Sequence, residues 1–174
     1  CTPHQNCHGL ISLMPAIAHI CIYLLVIKSP LNIAEMNMSD IDNKVTIEEW
    51  RQLGYHYTID HKNKKWIITA SPFGIAAFFE TLLAYASNPR NNVISEHVHI
   101  GPEIYLEIMT WDKPGMDSHS IHGTLEDIRR LADLIKSKVN PDMINKTVII
   151  REEYAKDAEY SLELVVKEFG YDPA

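Results

Sequence analysis

Hydrophobic and polar positions alternate in the segment that starts at Tyr55. Tyr55, Tyr57 and Ile59 fall on one face, a polar turn follows, and the alternation resumes over residues 66–69. A period of two residues is typical of a half-buried strand, and two such runs around a short polar turn favour a hairpin. The pattern therefore predicts two antiparallel strands, and the segment before them, residues 46–53, is predicted to be a short helix or turn.

The spacing of apolar residues changes to a helical period after this hairpin. Ser71 and Pro72 are residue types preferred at the N-cap and at the first position of a helix. Ile75, Phe78 and Leu82 then recur at intervals of three and four, and the run stops before an Asn-Pro pair. This spacing predicts a helix that begins at Pro72.

The same order of elements recurs further along the chain. Residues 103–110 form a run rich in Ile and Tyr, residues 112–115 have the composition of a turn, and residues 119–122 read as a short returning strand. Thr124 then begins a second helix, and Asp127 completes an approximate capping box with it. The chain therefore contains two copies of one local pattern.

The two copies align when one is shifted by 53 residues, which places Ile68 on Ile121 and Ser71 on Thr124. The residue types match, although few residues are identical. The second predicted helix buries one apolar stripe, which consists of Ile128, Leu131, Ala132 and Ile135.

A third hairpin follows without a third helix. Residues 146–154 and 159–169 are strand-like on either side of a turn. The resulting order is ββαββαββ, and hairpins between neighbouring strands favour antiparallel pairing. The sequence therefore predicts one α+β domain over residues 38–174, with a mostly antiparallel sheet of about six strands, two helices on one face and an internal repeat.

Residues 1–37 have a different composition. They hold two of the charged residues, and the other 37 all follow. Residues 9–27 are almost unbroken apolar sequence, long enough for a transmembrane helix, but no basic residue precedes them and no small-residue cleavage site follows, so a signal peptide fits poorly. A second interpretation is that residues 1–35 are translated upstream sequence before a start at Met36 or Met38. A third is that the segment forms a buried helix. These interpretations remain open.

Charge and cysteine content exclude several kinds of chemistry. The chain has 174 residues and a formal net charge of -7. An excess of carboxylates repels phosphate backbones, so a basic protein is a better partner than nucleic acid. The three cysteines, Cys1, Cys7 and Cys21, all lie in the first segment. Thiol chemistry is therefore excluded from residues 38–174.

The histidines form the sharpest cluster of candidate chemistry. Two imidazoles share one face if residues 97–100 form a strand, and two more precede the second helix. Imidazole and carboxylate groups bind zinc and iron, but no HExxH or CxxC spacing is present, and ordinary half-buried histidines are more common. The candidate metal ligands are His97, His99, His119 and His122, and Glu96 or Asp117 is the candidate base of a metal-dependent hydrolase.

The remaining carboxylates are less informative. Glu103 and Glu107 are too far apart along one strand to act as a pair, and most others read as solvated positions. There is no glycine-rich phosphate loop and no GxSxG motif. A smaller set of residues forms a candidate docking surface for a basic partner: Trp111, Glu152, Glu153 and Glu163.

Residues 55–138 resemble small bacterial proteins grouped with the immunity proteins of polymorphic toxin systems. The resemblance lies in the repeated unit of strand, small residue, Ser or Thr cap and Leu-rich helix, and in the pattern HxHxGPxxYLxI from His97 to Ile108. It implies a cytoplasmic, non-enzymatic protein that neutralises a cognate toxin by binding it. No catalytic residue is carried over from the family.

Two functions follow as expectations. The first is a non-enzymatic acidic binding protein of the immunity type, without a cofactor, acting on a basic toxin domain in the cytoplasm as a monomer or dimer. The second is a zinc- or iron-dependent hydrolase that uses the histidine cluster. A membrane location is expected only if residues 9–27 are native and span the bilayer.

Overall fold

A computed structural model describes residues 38–102 and 106–174, which contain three helices and eight strands. The helices are α1 (Met38–Leu53), α2 (Pro72–Ser87) and α3 (Leu125–Lys138). The strands are β1 (His56–Asp60), β2 (Lys65–Ala70), β3 (His97–Ile100), β4 (Leu106–Thr110), β5 (Gly115–Met116), β6 (Ser120–Gly123), β7 (Thr147–Ile150) and β8 (Ser161–Val166). The α+β class is confirmed.

Local sequence chemistry accounts for the starts of the two central helices. The Ser71 side chain accepts a hydrogen bond from the Gly74 amide at 3.3 Å. In α3 the Thr124 hydroxyl accepts from the Asp127 amide, and the Asp127 carboxylate accepts from the Thr124 amide, both at 3.1 Å. Each cap satisfies helix amides that have no partner within the helix. The predicted capping box is therefore present.

The strands form two four-stranded sheets, and the prediction of one mostly antiparallel sheet of six strands is wrong. The first sheet has the order β1-β2-β8-β7, and the second has the order β3-β4-β6-β5. Each sheet contains one parallel pair at its centre, β2 with β8 and β4 with β6, between two antiparallel pairs.

The physical reason for the difference is an extra reversal of the chain. The segment between β4 and β6 was predicted to be a simple turn, but it contains the two-residue strand β5. The chain therefore reverses twice, and β6 runs parallel to β4. Likewise, β8 pairs antiparallel with β7, its neighbour in sequence, and also pairs parallel with β2, which lies about 90 residues earlier in the chain. Neither parallel pairing follows from local alternation.

The two sheets have matching arrangements. In each sheet the strand that precedes a helix, β2 or β6, pairs antiparallel with the strand before it and parallel with one other strand, β8 or β4 respectively. The predicted repeat corresponds to this arrangement in outline. The match is inexact, because β5 has two residues and β1 has five.

The two central helices pack against different sheets and against each other. α2 contacts β2 and β8, α3 contacts β6, and α2 packs against α3. Each helix therefore covers a different sheet, which corrects the prediction of two helices on one face of a single sheet. All four residues of the predicted α3 stripe are fully buried in the shared core.

Buried aromatic side chains with polar atoms join the two sheets. The Trp66 indole of β2 donates to the Asp117 carbonyl at 2.8 Å. The Tyr57 hydroxyl of β1 donates to the Ile100 carbonyl and accepts from the Leu106 amide, the latter at 3.2 Å. Burial of an aromatic ring removes apolar surface from water and so stabilises the core, while the polar atom of the ring satisfies a backbone group that would otherwise be unpaired.

No helix among residues 38–102 and 106–174 is long and apolar enough to cross a membrane. The apolar run over residues 9–27, and with it the question of a membrane anchor, lies outside the described residues. The described residues belong to one compact unit that extends from Asn37 to Ala174.

Replacing Tyr57 by Phe tests the contact between the sheets. Loss of the hydroxyl leaves the Ile100 carbonyl and the Leu106 amide unsatisfied in a buried position, so we expect Tyr57→Phe to lower the free energy of unfolding by about 1–3 kcal/mol. The measurement is urea unfolding followed by tryptophan fluorescence. Tyr55→Phe is the matched control, because the buried Tyr55 hydroxyl makes no hydrogen bond to a backbone group among the described residues. Equal losses in both variants would contradict the prediction.

Candidate functional site

Strand β3 forms one edge of the second sheet and begins at an irregular segment. The amide of Ser95 donates to the Thr110 carbonyl, and the Thr110 amide donates to the Glu96 carbonyl, at 3.0 and 2.8 Å. Ser95 has a φ of +71°, which is uncommon for a residue other than glycine. This kink places the following residues in the extended conformation of β3.

The hydrogen bonds of Tyr57 show which way the backbone of β3 faces. Its hydroxyl lies between the Ile100 carbonyl and the Leu106 amide, two residues that are paired in the ladder. The polar backbone groups of Ile100 therefore point toward β4. Because these groups alternate along an antiparallel strand, those of His97 and His99 point away from β4, toward the open edge.

Glycine at position 101 makes this arrangement possible. Gly101 has a φ of +93°, and a Cβ atom there would lie 2.3 Å from the Tyr57 hydroxyl oxygen. A residue with a side chain would be strained at that φ and would collide with the Tyr57 ring. The Gly-Pro pair that follows the two histidines is thus explained by the close approach of Tyr57.

Three candidate metal ligands meet on the outer face of the second sheet. His99 is paired with Glu107 across β3 and β4, and His97 is two residues away on the same face. The nearest nitrogen and oxygen atoms of the three side chains all lie within 4.8 Å of one another. The His99 Nδ1 atom is 3.6 Å from Oε1 of Glu107, and the ring centroids of the two histidines are 4.9 Å apart.

The hydrogen bond of His97 defines the protonation of its ring. Its Nδ1 atom lies 2.9 Å from the Ser95 carbonyl oxygen. A carbonyl can only accept, so Nδ1 carries a proton, and in the neutral ring Nε2 carries the lone pair. This is the arrangement that metal-binding histidines commonly show, with the second ring nitrogen donating to a backbone carbonyl.

The other two predicted histidine ligands lie elsewhere. His122 in β6 is paired with Gly115 of β5, and its ring covers that glycine, since a Cβ at Gly115 would lie 2.2 Å from the His122 Nε2 atom. His119 is exposed and has its Nδ1 atom 2.8 Å from the Ser118 hydroxyl. The structure therefore brings together two of the four histidines and adds Glu107.

His122 belongs to a separate polar network. Its Nδ1 atom lies 2.9 Å from the Ser120 hydroxyl and 3.7 Å from the Asp117 carboxylate. Burial lowers the pKa of His122, and the negative charge of Asp117 opposes this shift. Asp117 also accepts from the amides of His119 and Ser120, both at 2.8 Å, so it holds the turn before β6 in place.

His122 and Asp117 also line a cleft of about 390 Å³. Its opposite wall is the connection between β7 and β8, and its wall residues include the charged side chains of Lys113, Lys156 and Glu159. Neither His97 nor His99 lines this cleft. The second sheet therefore carries two distinct groups of histidines.

Exposed aliphatic side chains occur in β3 and in the segment just before it. Val93 and Ile94, in the segment before β3, are 59% and 55% exposed, and Val98 within β3 is 40% exposed. Val98 faces the side of the sheet opposite to the histidines, so both faces of β3 are accessible. We call the surface formed by Val93, Ile94 and β3 the β3 surface.

The predicted acidic docking residues do not share one element. Glu153, after β7, pairs with Lys138 at 2.6 Å, and this hydrogen bond lowers the pKa of Glu153. Glu163 in β8 pairs with Lys65 at 3.1 Å. Glu152 is exposed, and the half-buried Trp111 follows β4 in the second sheet. Two of the three carboxylates therefore have a lysine partner.

Sequence reasoning missed the role of Glu107 because it treated the carboxylates of one strand by themselves. The relevant neighbour of Glu107 is on the next strand, at His99. The signal was present: a turn near Gly101 between two strand-like runs predicts a hairpin, and the hairpin register places the two residues opposite each other.

Glu96, the candidate base, has an exposed side chain, and its backbone carbonyl accepts from the Tyr85 hydroxyl at 2.7 Å.

The buried His122 predicts a pH dependence of stability. Its pKa is lowered in the folded state, so the unfolded chain binds this proton more readily, and stability falls as the pH drops through the ordinary histidine pKa near 6.5. We expect His122→Gln to reduce this loss between pH 7.5 and 5.5, measured by urea unfolding. His119→Gln is the control, since His119 is exposed. An unchanged pH dependence in His122→Gln would contradict the assignment.

Comparisons with protein-family models, with curated proteins and with solved structures gave no match to this chain. The chemistry of the site is therefore inferred from its own geometry, and the resemblance to immunity proteins stays a prediction.

Proposed function

We propose that this chain is a non-enzymatic binding protein that uses the β3 surface to bind a basic protein partner. The observation that carries the proposal is the combination of an open sheet edge with three exposed aliphatic side chains in six residues, Val93, Ile94 and Val98. Single exposed apolar residues are normal on protein surfaces, whereas several exposed apolar residues close together in sequence beside an open strand edge favour a binding site.

The open edge supplies main-chain groups for recognition. The backbone amides and carbonyls of His97 and His99 face away from β4, as the hydrogen bonds of Tyr57 indicate. An extended segment of a partner can pair with such an edge, where main-chain hydrogen bonds give affinity and side-chain pockets give specificity. An edge of this kind is otherwise prone to non-specific pairing, so a cognate partner is a physical reason to keep it.

Charge favours a basic partner. The formal net charge is -7, and all but two of the charged residues follow residue 37. The exposed Glu96 adjoins the β3 surface. Complementary charge increases the association rate and excludes acidic competitors, while the apolar centre of the interface contributes most of the affinity.

The resemblance to bacterial immunity proteins supports a specific partner, the basic domain of a cognate toxin in the cytoplasm. The predicted docking residues Trp111, Glu152, Glu153 and Glu163 would then contribute outside the β3 surface, the two lysine-paired carboxylates least. The alternative is a metal-dependent hydrolase with all four histidines as ligands. It has less support, because within residues 38–102 and 106–174 His97 and His99 group with Glu107 and not with His119 or His122.

If the chain is an immunity protein, the adjacent gene is expected to encode a toxin with a basic C-terminal domain, and the test uses the full chain together with that domain. We expect a complex whose dissociation constant increases with salt, because screening weakens the attraction between opposite charges. Val98→Lys buries a charge at the centre of the interface and should weaken binding by about tenfold or more. Binding is measured by titration calorimetry at two ionic strengths.

Ile149→Lys is the matched control. Ile149 is 57% exposed and lies on β7, the edge strand of the other sheet. The Ile149→Lys substitution changes the net charge by the same amount as Val98→Lys. A loss of binding affinity confined to Val98→Lys therefore locates the interface at β3. Equal effects of both variants, or no binding of the toxin domain by the unmodified chain, would overturn the proposal.

A further inference from the structure

We propose that His97, His99 and Glu107 form a binding site for a divalent transition-metal ion, with zinc(II) as the best-matched ion. This site is distinct from the partner-binding role of β3, and it replaces the four-histidine set that the sequence suggested. Two imidazoles and one carboxylate are the protein donor set of many zinc sites that keep an open position.

The strand pairing brings the three donors together. His97 and His99 are two residues apart in β3 and so project from the same face, and Glu107 lies directly opposite His99 on β4. Residues opposite each other in an antiparallel pair have Cβ atoms about 5 Å apart. Rigid strands, not a loop, therefore position every ligand of the proposed site.

The distances are compatible with a metal ion after a small side-chain adjustment. The three donor atoms lie within 4.8 Å of one another. Zinc–nitrogen bonds are about 2.0–2.1 Å long, which places ligand atoms of a tetrahedral site roughly 3.3 Å apart. The gap therefore closes with shifts of about 1 Å, and the exposed His97 and His99 side chains have room to make them.

The surroundings of His97 favour metal binding. Its Nδ1 atom donates to the Ser95 carbonyl, which leaves the Nε2 lone pair for an ion. The carbonyl that receives this bond belongs to a residue with a φ of +71°, at the kink that starts β3. An outer hydrogen bond of this type fixes the orientation of the ring of a metal-binding histidine.

The charge and accessibility of the site define the kind of ion. Two neutral imidazoles and one carboxylate carry a charge of about −1, which a divalent cation compensates. Imidazole ligands favour zinc over the hard cations magnesium and calcium. Because the histidines are exposed, at least one coordination position faces solvent and can hold water or a side chain of a partner.

The experiment measures zinc(II) binding to the full chain in a background of Cys1→Ser, Cys7→Ser and Cys21→Ser, which removes the thiols outside residues 38–174. We expect His97→Ala and His99→Ala each to bind about one zinc fewer per chain than this background protein, measured by equilibrium dialysis and metal analysis. Glu107→Gln should weaken binding by about tenfold or more, since even groups that only hydrogen-bond to a metal ligand typically contribute about 10–100-fold.

His119→Ala is the matched control, because His119 is an exposed histidine of the same sheet and lies outside the cluster. The histidines before residue 37 are unchanged in every variant, so their contribution cancels. Cobalt(II) provides a second readout: we expect visible d–d absorption in the background protein that is lost in His97→Ala and retained in His119→Ala.

The melting temperatures of the metal-free variants show whether each variant is folded. Because the replaced histidines are exposed, we expect their replacement to leave the melting temperature unchanged. Equal zinc stoichiometry in the background protein, His97→Ala and His99→Ala would overturn the proposed site. An equal loss in His119→Ala would also overturn it, since that result indicates diffuse binding to surface histidines. Neither result depends on whether the chain binds a toxin.

Discussion

The two central parallel pairs, β2 with β8 and β4 with β6, are the constraint on which the rest of the structure depends. The first joins strands from opposite ends of residues 38–174, so the first sheet is complete only when both ends of this region are in place, whereas the second sheet uses residues 97–123 alone. Parallel strands are typically buried on both faces. Here α2 and α3 cover the inner faces and also pack against each other, which makes one shared core out of two sheets.

Polar atoms of large aromatic residues occur at the junction of the two sheets. Some backbone groups there receive a hydrogen-bond partner from a side chain. The Trp66 indole and the Tyr57 hydroxyl satisfy such groups at Asp117, Ile100 and Leu106. Buried groups without partners are costly, so these contacts both stabilise the junction and set the direction in which β3 presents its backbone. The accessibility of β3 is therefore a consequence of how the core is closed.

The two proposals concern different chemical properties of one strand. The backbone edge and the aliphatic side chains suit a protein partner, while the outward side chains of His97 and His99, together with Glu107, suit a metal ion. Alternation along a strand allows this, because successive side chains point to opposite faces and the backbone groups point sideways. A short edge strand can therefore carry two independent functions.

The sequence by itself determined the local elements: the first hairpin, the Ser71 and Thr124 caps, the buried stripe of α3, and the alternation of β8. These depend on period and residue type within about twenty positions. Only the tertiary structure decided that β8 lies beside β2, that β5 reverses the chain before β6, and that Glu107, not His119 or His122, accompanies His97 and His99. These features depend on the register between distant strands, which residue type specifies weakly because many registers bury the same apolar faces.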